Sequence, residues 1–500
     1  MGNYNIKAVT ETEVLIIGAG NAGMMAAAAA AEEGAKVTVI EKEDSINLLR
    51  LGIAGVNTNA QRKAGFTIDK QELVEYIASF AQHNVDEGLI YEWANNSAEA
   101  VNWLEDTILK PHGAYMHAEP DAVVTSDINK AFPTENDPTF DDKSAASYGK
   151  WFQEKVVSLG VDLKFKTSLS ELIKDGQKVT GVIAKDLTTG DDIQINASKG
   201  VIICTGGYSA NEELLQKWNP LSLKKNVFTD SPRNMGDGIT AALAIGAIKD
   251  EEPAQIVFDR GLVPVGTKNQ DMYKKTARFE DWLWLGSYPF LKVNLKGQRF
   301  SNESIPYQFI VNAAGKEPGY QYAMIWDDNY GEYVKKLLML GCARYGFPGY
   351  MANSEKFIAD VEQYVKKNLV MKADTIEELA EKLHLPADNL KKTVERINEL
   401  HVKHIDQDFG KENYRLTPID QKPYYGCILS GRILDTLDGL RINRQMEVMD
   451  ENHEPIQNLY AAGNASGGFF FGSYPDHIPG LCSSHAQTFG RLAGKAAAKN

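Results

Sequence analysis

Cysteine is scarce in this chain. Four stand among 500 residues, at Cys204, Cys342, Cys427 and Cys482, too far apart for a CxxC pair or a CxxCH haem attachment. Such a scatter makes no disulfide framework and suits a reducing, cytoplasmic setting. Long apolar runs are missing as well. The longest near the start, Met24–Ala31, falls far short of the ~20 residues of a membrane span. Met1–Thr12 is polar and lacks the apolar core of a signal peptide, and Ile6 breaks a myristoylation pattern. Positive charge is outweighed: 53 Lys and Arg face 67 Asp and Glu, a net charge of −14. Nucleic acid and anionic membrane surfaces are therefore poor partners. There are no internal repeats. His401 and His404 share a helix face, but no Cys, Asp or Glu constellation joins them, so no metal site is expected.

What is present is ample apolar matter. Hydrophobic residues make up 43% of the chain, enough for large cores, and the length asks for two or more domains. The first forty residues read as a βαβ unit. Glu13–Ile17 is a buried-strand run, Gly18-Ala19-Gly20-Asn21-Ala22-Gly23 follows, an alanine-rich helix ends at Gly34, and Lys36–Ile40 is a second strand with Glu41 and Lys42 at its end. Glu41 stands 23 residues after Gly18, near the ~20-residue spacing of a dinucleotide fingerprint. Gly18 permits the tight turn, Gly20 lets the backbone approach a pyrophosphate, and Gly23 lets helix and strand pack closely. The helix N-terminus supplies free N–H groups, and Glu41 can accept from ribose hydroxyls. A glycine turn without ligand is the plain alternative, and the fingerprint does not separate FAD from NAD.

Residues 110–145 are rich in Pro, His, Asp and Ser and read as a long surface excursion carrying Tyr115 between His112 and His117. Strand patterns fill 160–205, and Gly236-Asp237-Gly238 opens another helix. From about 255 to 430 aromatics become dense and turns break the pattern. Thr375 and Glu378 form a capping box there, and Pro386 suits the first turn of a helix running to about His404. After 431 the α/β texture returns, with a strand into Gly463 and a last helix over Ser483–Ala498. The expected division is 1–254 and 431–500 for one discontinuous domain and 255–430 for an insertion.

Later motifs narrow the reading. Thr205-Gly206-Gly207-Tyr-Ser-Ala-Asn211, Gly236-Asp237-Gly238, Gly297–Glu303 and Leu459–Asn464 occur in order along nearly the whole chain. Together they resemble the fumarate reductase and 3-ketosteroid dehydrogenase flavoproteins. The resemblance implies a Rossmann-like, glutathione-reductase-type α/β FAD domain with an inserted α+β capping domain. It implies Gly463 and Asn464 along the ribityl chain, where many relatives carry Glu at the second position, and Gly52, Ala54 and Gly55 beside the flavin. It points the helix start at Gly480, Ser483 and Ser484 toward the pyrimidine edge. Relatives with covalent flavin carry a histidine in the region of Ile46–Leu51. This chain has none there, so non-covalent FAD is expected.

Hydride chemistry at flavin N5 needs a polarising site for a carbonyl and a group for the partner proton. Fumarate reductases supply an arginine acid and a His-Thr pair. This chain has Tyr307 at the first place and Asp435-Thr436 at the second, which disfavours a C4-dicarboxylate because a buried Asp repels it. Asn302–Tyr307 resembles the NES-x-PY segment of 3-ketosteroid dehydrogenases, whose tyrosine handles a proton beside the carbonyl. The segment Tyr474-Pro475 to Pro479-Gly480, then Thr488-Phe-Gly490, resembles their YPG…TFG run, in which a tyrosine hydroxyl and a glycine N–H hold the carbonyl oxygen. By that resemblance Tyr474 and Gly480 take those roles. Both tyrosines also have a plain reading as packed core. Asp435 and Thr436 either meet a polar substrate group or cap the turn back into the FAD domain. Trp284, with Trp282, Tyr288 and Phe290, is either interface core or a wall for a flat substrate.

The leading expectation is an FAD enzyme that reduces or forms a C=C bond conjugated to a carbonyl, on a hydrophobic, steroid-like or enone substrate. The alternatives are a fumarate- or urocanate-type small-acid reductase and an electron-carrier subunit with no substrate. With one dinucleotide fingerprint and no haem or iron–sulfur motif, electrons come from a visiting cofactor or a separate protein.

Overall fold

The computed structural model describes residues 4–46, 52–118, 132–140, 145–273, 282–337 and 354–500. Its first sheet is built around the strand Ile6–Ile17, which lies parallel between Val37–Ile40 and Asp192–Ile203. Asp162–Lys164 continues the sheet beyond Val37–Ile40, and Pro455–Ala461 continues it beyond Asp192–Ile203, both in parallel. The core residues are the branched apolar runs the sequence offers: Val14–Ile17, Val37–Ile40 and Val201–Ile203 are buried on both faces. The first strand is longer than its apolar run. Ile6–Thr12 is mostly exposed and pairs with Asp192–Ala197, so half of it has no hydrophobic signature.

Register decides where the motifs meet. Ile17 lies opposite Ile40 on one side and Ile203 on the other, and Ala461 lies opposite Ile203. Four parallel strands therefore end at one level. The residues that follow them are Gly18, Glu41, Cys204-Thr205 and Ala462-Gly463. In open α/β sheets this carboxyl edge is where ligands bind.

Two helices cover one face and set its geometry by close approach. Asn21–Glu32 is alanine-rich and almost wholly buried, and Leu481–Lys499 crosses it. A Cβ on Gly490 would lie 2.2 Å from Ala22 O, and one on Gly494 would lie 2.3 Å from Ala26 O. A Cβ on Gly23 would lie 1.8 Å from Gly18 O. Backbone contact at these places holds both helix N-termini over the sheet edge.

The second sheet runs Leu291–Asn294, Tyr322–Asp327, Tyr424–Thr436, Ala254–Val263, Gly472–Ser473, with Asn226–Thr229 and Val370–Ala373 also paired to Tyr424–Thr436. The long strand Tyr424–Thr436 runs across position 430 and stays in the second sheet throughout. Helices Ile376–Lys382 and Ala387–Lys403 pack on this sheet. Thr375 caps the first by accepting from Glu378 N–H at 3.1 Å.

One stretch differs from its sequence reading. The expected surface excursion supplies two strands, Tyr115–Ala118 and Glu135–Thr139, that pair with each other and with Ile53–Ala54. Its polar composition misleads because the polar groups are buried and bonded. Asn136 accepts from Thr58 Oγ1 at 2.7 Å and donates to Ile53 O at 3.2 Å. Tyr115 stays on the outer side, 45% exposed.

The helix crossing is testable. Gly490→Val inserts a side chain against Ala22 O and is expected to lower stability by about 1–3 kcal/mol. It should also lower the flavin retained per protein; denaturant unfolding and absorbance spectra check both.

Candidate active site

The nucleotide cradle is built from backbone. Gly18 has a φ of 103° and donates its N–H to Ile40 O at 2.8 Å. A Cβ there would meet Cys204 O at 2.5 Å, so the turn admits only glycine. Gly20 caps the helix with no side-chain bond, which leaves first-turn N–H groups directed at the sheet edge. Glu41 accepts from Ala19 N–H at 2.7 Å and from Glu43 N–H at 2.9 Å, fixing the loop from below. Lys42 donates to Asp237 at 2.7 Å and to Arg233 O at 2.6 Å, which ties the second strand to the Gly236–Gly238 turn. Two buried atoms of this cradle, Asn21 Oδ1 and Thr205 Oγ1, have no hydrogen-bond partner among the described residues. Buried orphans cost about 1–3 kcal/mol each, and the polar edge of a dinucleotide supplies what they lack.

The remaining cofactor candidates converge on the same edge. Gly206 and Gly463 adopt φ of 73° and 70°. Ala54 N–H donates to Gly480 O at 3.1 Å, and Gly55 N–H to Thr134 O at 2.8 Å. Gly52 packs so closely that a Cβ would meet the Glu135 carboxylate at 2.3 Å. Residues 47–51 beside it lie outside the described residues. In the last helix Ser484 Oγ accepts from Trp93 Nε1 at 2.8 Å and Ser483 Oγ from Gln487 Nε2 at 3.0 Å.

Asp435 is the junction between cradle and cap. Its Oδ2 accepts from Gly207 N–H at 3.0 Å, from Asn234 Nδ2 at 2.6 Å and from Asn464 Nδ2 at 2.8 Å. Thr436 Oγ1 accepts from Tyr208 N–H at 2.9 Å. Both residues are buried. Burial pushes the Asp435 carboxyl up, against those donors. These polar atoms face the Thr205–Tyr208 turn, on the turn-capping side of the two readings open from sequence. Asn464 faces them with its amide, and its Oδ1 accepts from Cys482 Sγ at 3.4 Å.

The two candidate tyrosines come together through their neighbours. Tyr307 opens the helix Tyr307–Ala314 and is buried; its N–H donates to Asp476 Oδ2 at 3.0 Å. Gln308 Oε1 accepts from Tyr474 N–H at 3.2 Å and from Val257 N–H at 3.1 Å. The segments 307–308 and 474–476, separate in sequence, thus share two bonds. Tyr474 OH accepts from Cys482 N–H at 3.1 Å and donates to Ile478 O at 3.3 Å, next to Gly480 with its φ of 80°. Upstream of Tyr307, Glu303 is fully buried and held by a bidentate Arg299 fork at 2.9 and 2.8 Å, which also reaches Asp406. That clamp fixes the approach to the tyrosine.

A family model for the FAD binding domain matches residues 13–476. This chain belongs to that FAD-binding family. It is similar to the vinyl phenol reductase of Lactiplantibacillus plantarum, 28% identical over 97% of this chain and 96% of the relative. It is 25% identical to the NADH:fumarate oxidoreductase of Klebsiella pneumoniae over 97% of this chain, which spans 48% of that longer protein. Among solved structures, the 3-ketosteroid Δ4-(5α)-dehydrogenase of Rhodococcus jostii RHA1 superposes with a TM-score of 0.72 at 23% identity, over 100% of this chain and 98% of that one. The FAD domain fold with FAD as cofactor, and an FAD-dependent oxidoreductase as the class, follow from the family. Among the described residues no helix is long and apolar enough to cross a membrane.

Around Tyr307 the flavoprotein holds charges that the sequence reading missed. Arg260 and Arg432 are buried in the second sheet. The Arg260 guanidinium lies 4.4 Å from the Trp284 ring centre and 5.3 Å from those of Trp282 and Tyr307. Arg432 lies 4.4 Å from Trp282 and bonds to Asp230. Trp282 and Trp284 stack at 4.9 Å. Trp284 is therefore part of an aromatic wall faced by two cations. The available signal was a charged residue inside an uninterrupted apolar strand, at Asp259-Arg260 and again at Arg432.

His485 is the other missed residue. It sits one turn into the last helix, buried among Phe469, Phe470 and Phe489 with ring centres at 4.7, 5.3 and 4.4 Å. Burial pushes its pKa down to about 3, so the folded protein holds it neutral. The unfolded chain takes up that proton below about 6.5. Stability is therefore expected to fall as pH drops from about 6.5 towards 3, by up to about 1.4 kcal/mol per pH unit. In His485→Phe this component should vanish, as urea unfolding of both proteins across that range will show.

Proposed function

We propose that this flavoprotein is an ene-reductase. It reduces, or in reverse forms, a C=C bond conjugated to a carbonyl or equivalent oxygen sink on a flat, hydrophobic substrate. The observation that carries the reading is the buried Tyr307, whose N–H bonds to Asp476 while its neighbour Gln308 accepts from Tyr474 N–H, with the stacked Trp282 and Trp284 nearby. The name of the L. plantarum relative specifies an alkene conjugated to a phenol ring, likewise a flat, largely apolar molecule with one oxygen at the end of a conjugated system.

The FAD, held by Gly18–Gly23, Glu41, Lys42, Gly52–Gly55, Thr205–Gly207, Asp237, Gly463-Asn464 and the Gly480–Ser484 helix start, supplies hydride when reduced. We take it as non-covalent and recharged by a separate donor. Tyr307 gives the proton to the carbon next to the oxygen sink. In reduction it does so from its ordinary protonated form, whereas dehydrogenation needs a base with a lowered pKa. The Gly480 N–H and the Tyr474 hydroxyl, whose proton rests on a long bond to Ile478 O, hold the developing oxyanion. Asp435 and Thr436 position the cofactor turn. The 1–254, 255–430 and 431–500 division serves this scheme as one cofactor domain and one cap.

A second reading has its own support. The buried Arg260 guanidinium over the Tyr307 ring favours an alkene bearing a carboxylate, as in fumarate- or urocanate-type substrates.

Anaerobic reoxidation of the chemically reduced flavin separates the two. A vinyl phenol, a 3-keto-4-ene steroid and small enones are set against fumarate and urocanate. Fast reoxidation by the neutral conjugated alkenes is expected, and Tyr307→Phe should slow it by about 10²–10⁴-fold with the bound-flavin spectrum unchanged. Reoxidation by the acids alone overturns the first reading in favour of the second.

A further inference from the structure

A reduction consumes one proton per turnover, and Tyr307 is buried, so something must reload it. Asp476 lies directly beneath the helix that Tyr307 opens. Its Oδ2 is occupied by the Tyr307 N–H at 3.0 Å. Its Oδ1 is buried with no hydrogen-bond partner among the described residues. This carboxyl and Tyr307 border one small cavity, together with Ser287, Glu303, Ser304 and Arg415. On its other side His477 Nε2 stands 3.9 Å from Oδ1, a side-chain rotation from a hydrogen bond. His477 is itself buried, and its Nδ1 is 2.6 Å from Tyr76 OH. Tyr76 is half-buried on the helix Lys70–Phe80, which is braced against the Tyr307 helix by the stacked rings of Phe80 and Phe309 at 5.2 Å.

We infer that Tyr76, His477 and Asp476 form a proton line that reloads Tyr307 from solvent, an inference that rests on the ene-reductase reading above. The balance is simple. The C=C bond takes a hydride, two electrons and one hydrogen, from the reduced cofactor and a proton from the Tyr307 hydroxyl. The tyrosinate regains its proton from the Asp476 carboxyl. The carboxylate left behind regains one from the His477 Nε2–H, while His477 Nδ1 takes one from the Tyr76 hydroxyl, which solvent reprotonates.

Charge and burial suit the middle member. Asp476 faces Asp259 and Arg260 from the second sheet, Glu303 and Arg415 across the cavity, and His477 beside it. Burial pushes its pKa up to about 7, against the Tyr307 N–H and with Asp259 adding to the rise. With Oδ2 accepting from Tyr307, the proton belongs on Oδ1, where it turns an orphaned acceptor into a donor.

Asp476→Asn keeps the support of the helix, because its amide oxygen still accepts from Tyr307 N–H, and removes the transferable proton. Two measurements on the flavin-loaded protein test the line. In wild-type-minus-Asp476→Asn difference infrared spectra near neutral pH, a positive carboxylic C=O band is expected. In stopped-flow reoxidation by the active alkene, Asp476→Asn and His477→Gln should each slow the reaction about 10–100-fold with a larger solvent isotope effect. Tyr76→Phe should slow it less, and flavin content and spectrum should stay the same in all three. Variants that match the wild type in rate and isotope effect, or absence of the carboxylic band, overturn the line alone. A wild-type flavin that no alkene reoxidises overturns the ene-reductase reading and the line with it.

Discussion

Where the first and last helices of the chain touch, there is no side chain between them. Gly490 and Gly494 press on the carbonyls of Ala22 and Ala26, and Gly23 presses on Gly18. This contact joins the extreme ends of the sequence into one unit. It also sets the two helix N-termini, at Gly20 and Gly480, over the same sheet edge. In the proposed site that alignment would offer one anion-seeking helix end to the pyrophosphate and a second to the flavin ring. A methyl group at any of the three positions would separate backbones that now touch, and the site would widen with them.

The second dependence is a single strand. Tyr424–Thr436 pairs with four others in the second sheet and ends by delivering Asp435 and Thr436 to the turn at Gly207 and Tyr208. The same strand carries Arg432 to the aromatic wall. Cap and cradle are thus coupled by continuous backbone and by a buried carboxylate with three donors, so a shift in one is felt by the other.

The sequence made the cofactor half legible because its requirements are local. A strand, three glycines and an acid at fixed spacing dictate geometry over forty residues, and Gly18 and Gly23 sit where that reading puts them. The NES-x-PY and YPD segments pointed to tyrosines that the fold brings within two hydrogen bonds of each other. The rest was hidden for one reason: burial inverts the meaning of polarity. Asn136 and Glu135 read as loop and are core. Asp259, Arg260 and Arg432 drew no notice in the sequence and are buried charges of the second sheet. The exposed half of the first strand, Ile6–Thr12, was lost by the same inversion, since pairing rather than hydrophobicity makes it a strand.

Those buried charges bear on why the site is built as it is. Replacing a buried ion pair by apolar residues often leaves a protein as stable or more so, so stability does not explain Arg260, Arg432, Asp230 and Asp259 beside Tyr307. What they supply is a fixed field. The aromatic faces of Trp282 and Trp284 hold the guanidiniums by their flat sides, which leaves little freedom to reorganise when charge develops nearby. A preorganised cation costs nothing at the moment an enolate or phenolate forms, whereas water would have to reorient. Arg260 works against a protonated acid beside it, yet burial, with Asp259 adding to the rise, pushes the Asp476 pKa up to about 7. The proposed reaction would draw on both, a fixed cation beside the Tyr307 ring and a protonated carboxyl at the start of its helix, because adding hydride and proton across a conjugated bond makes both demands.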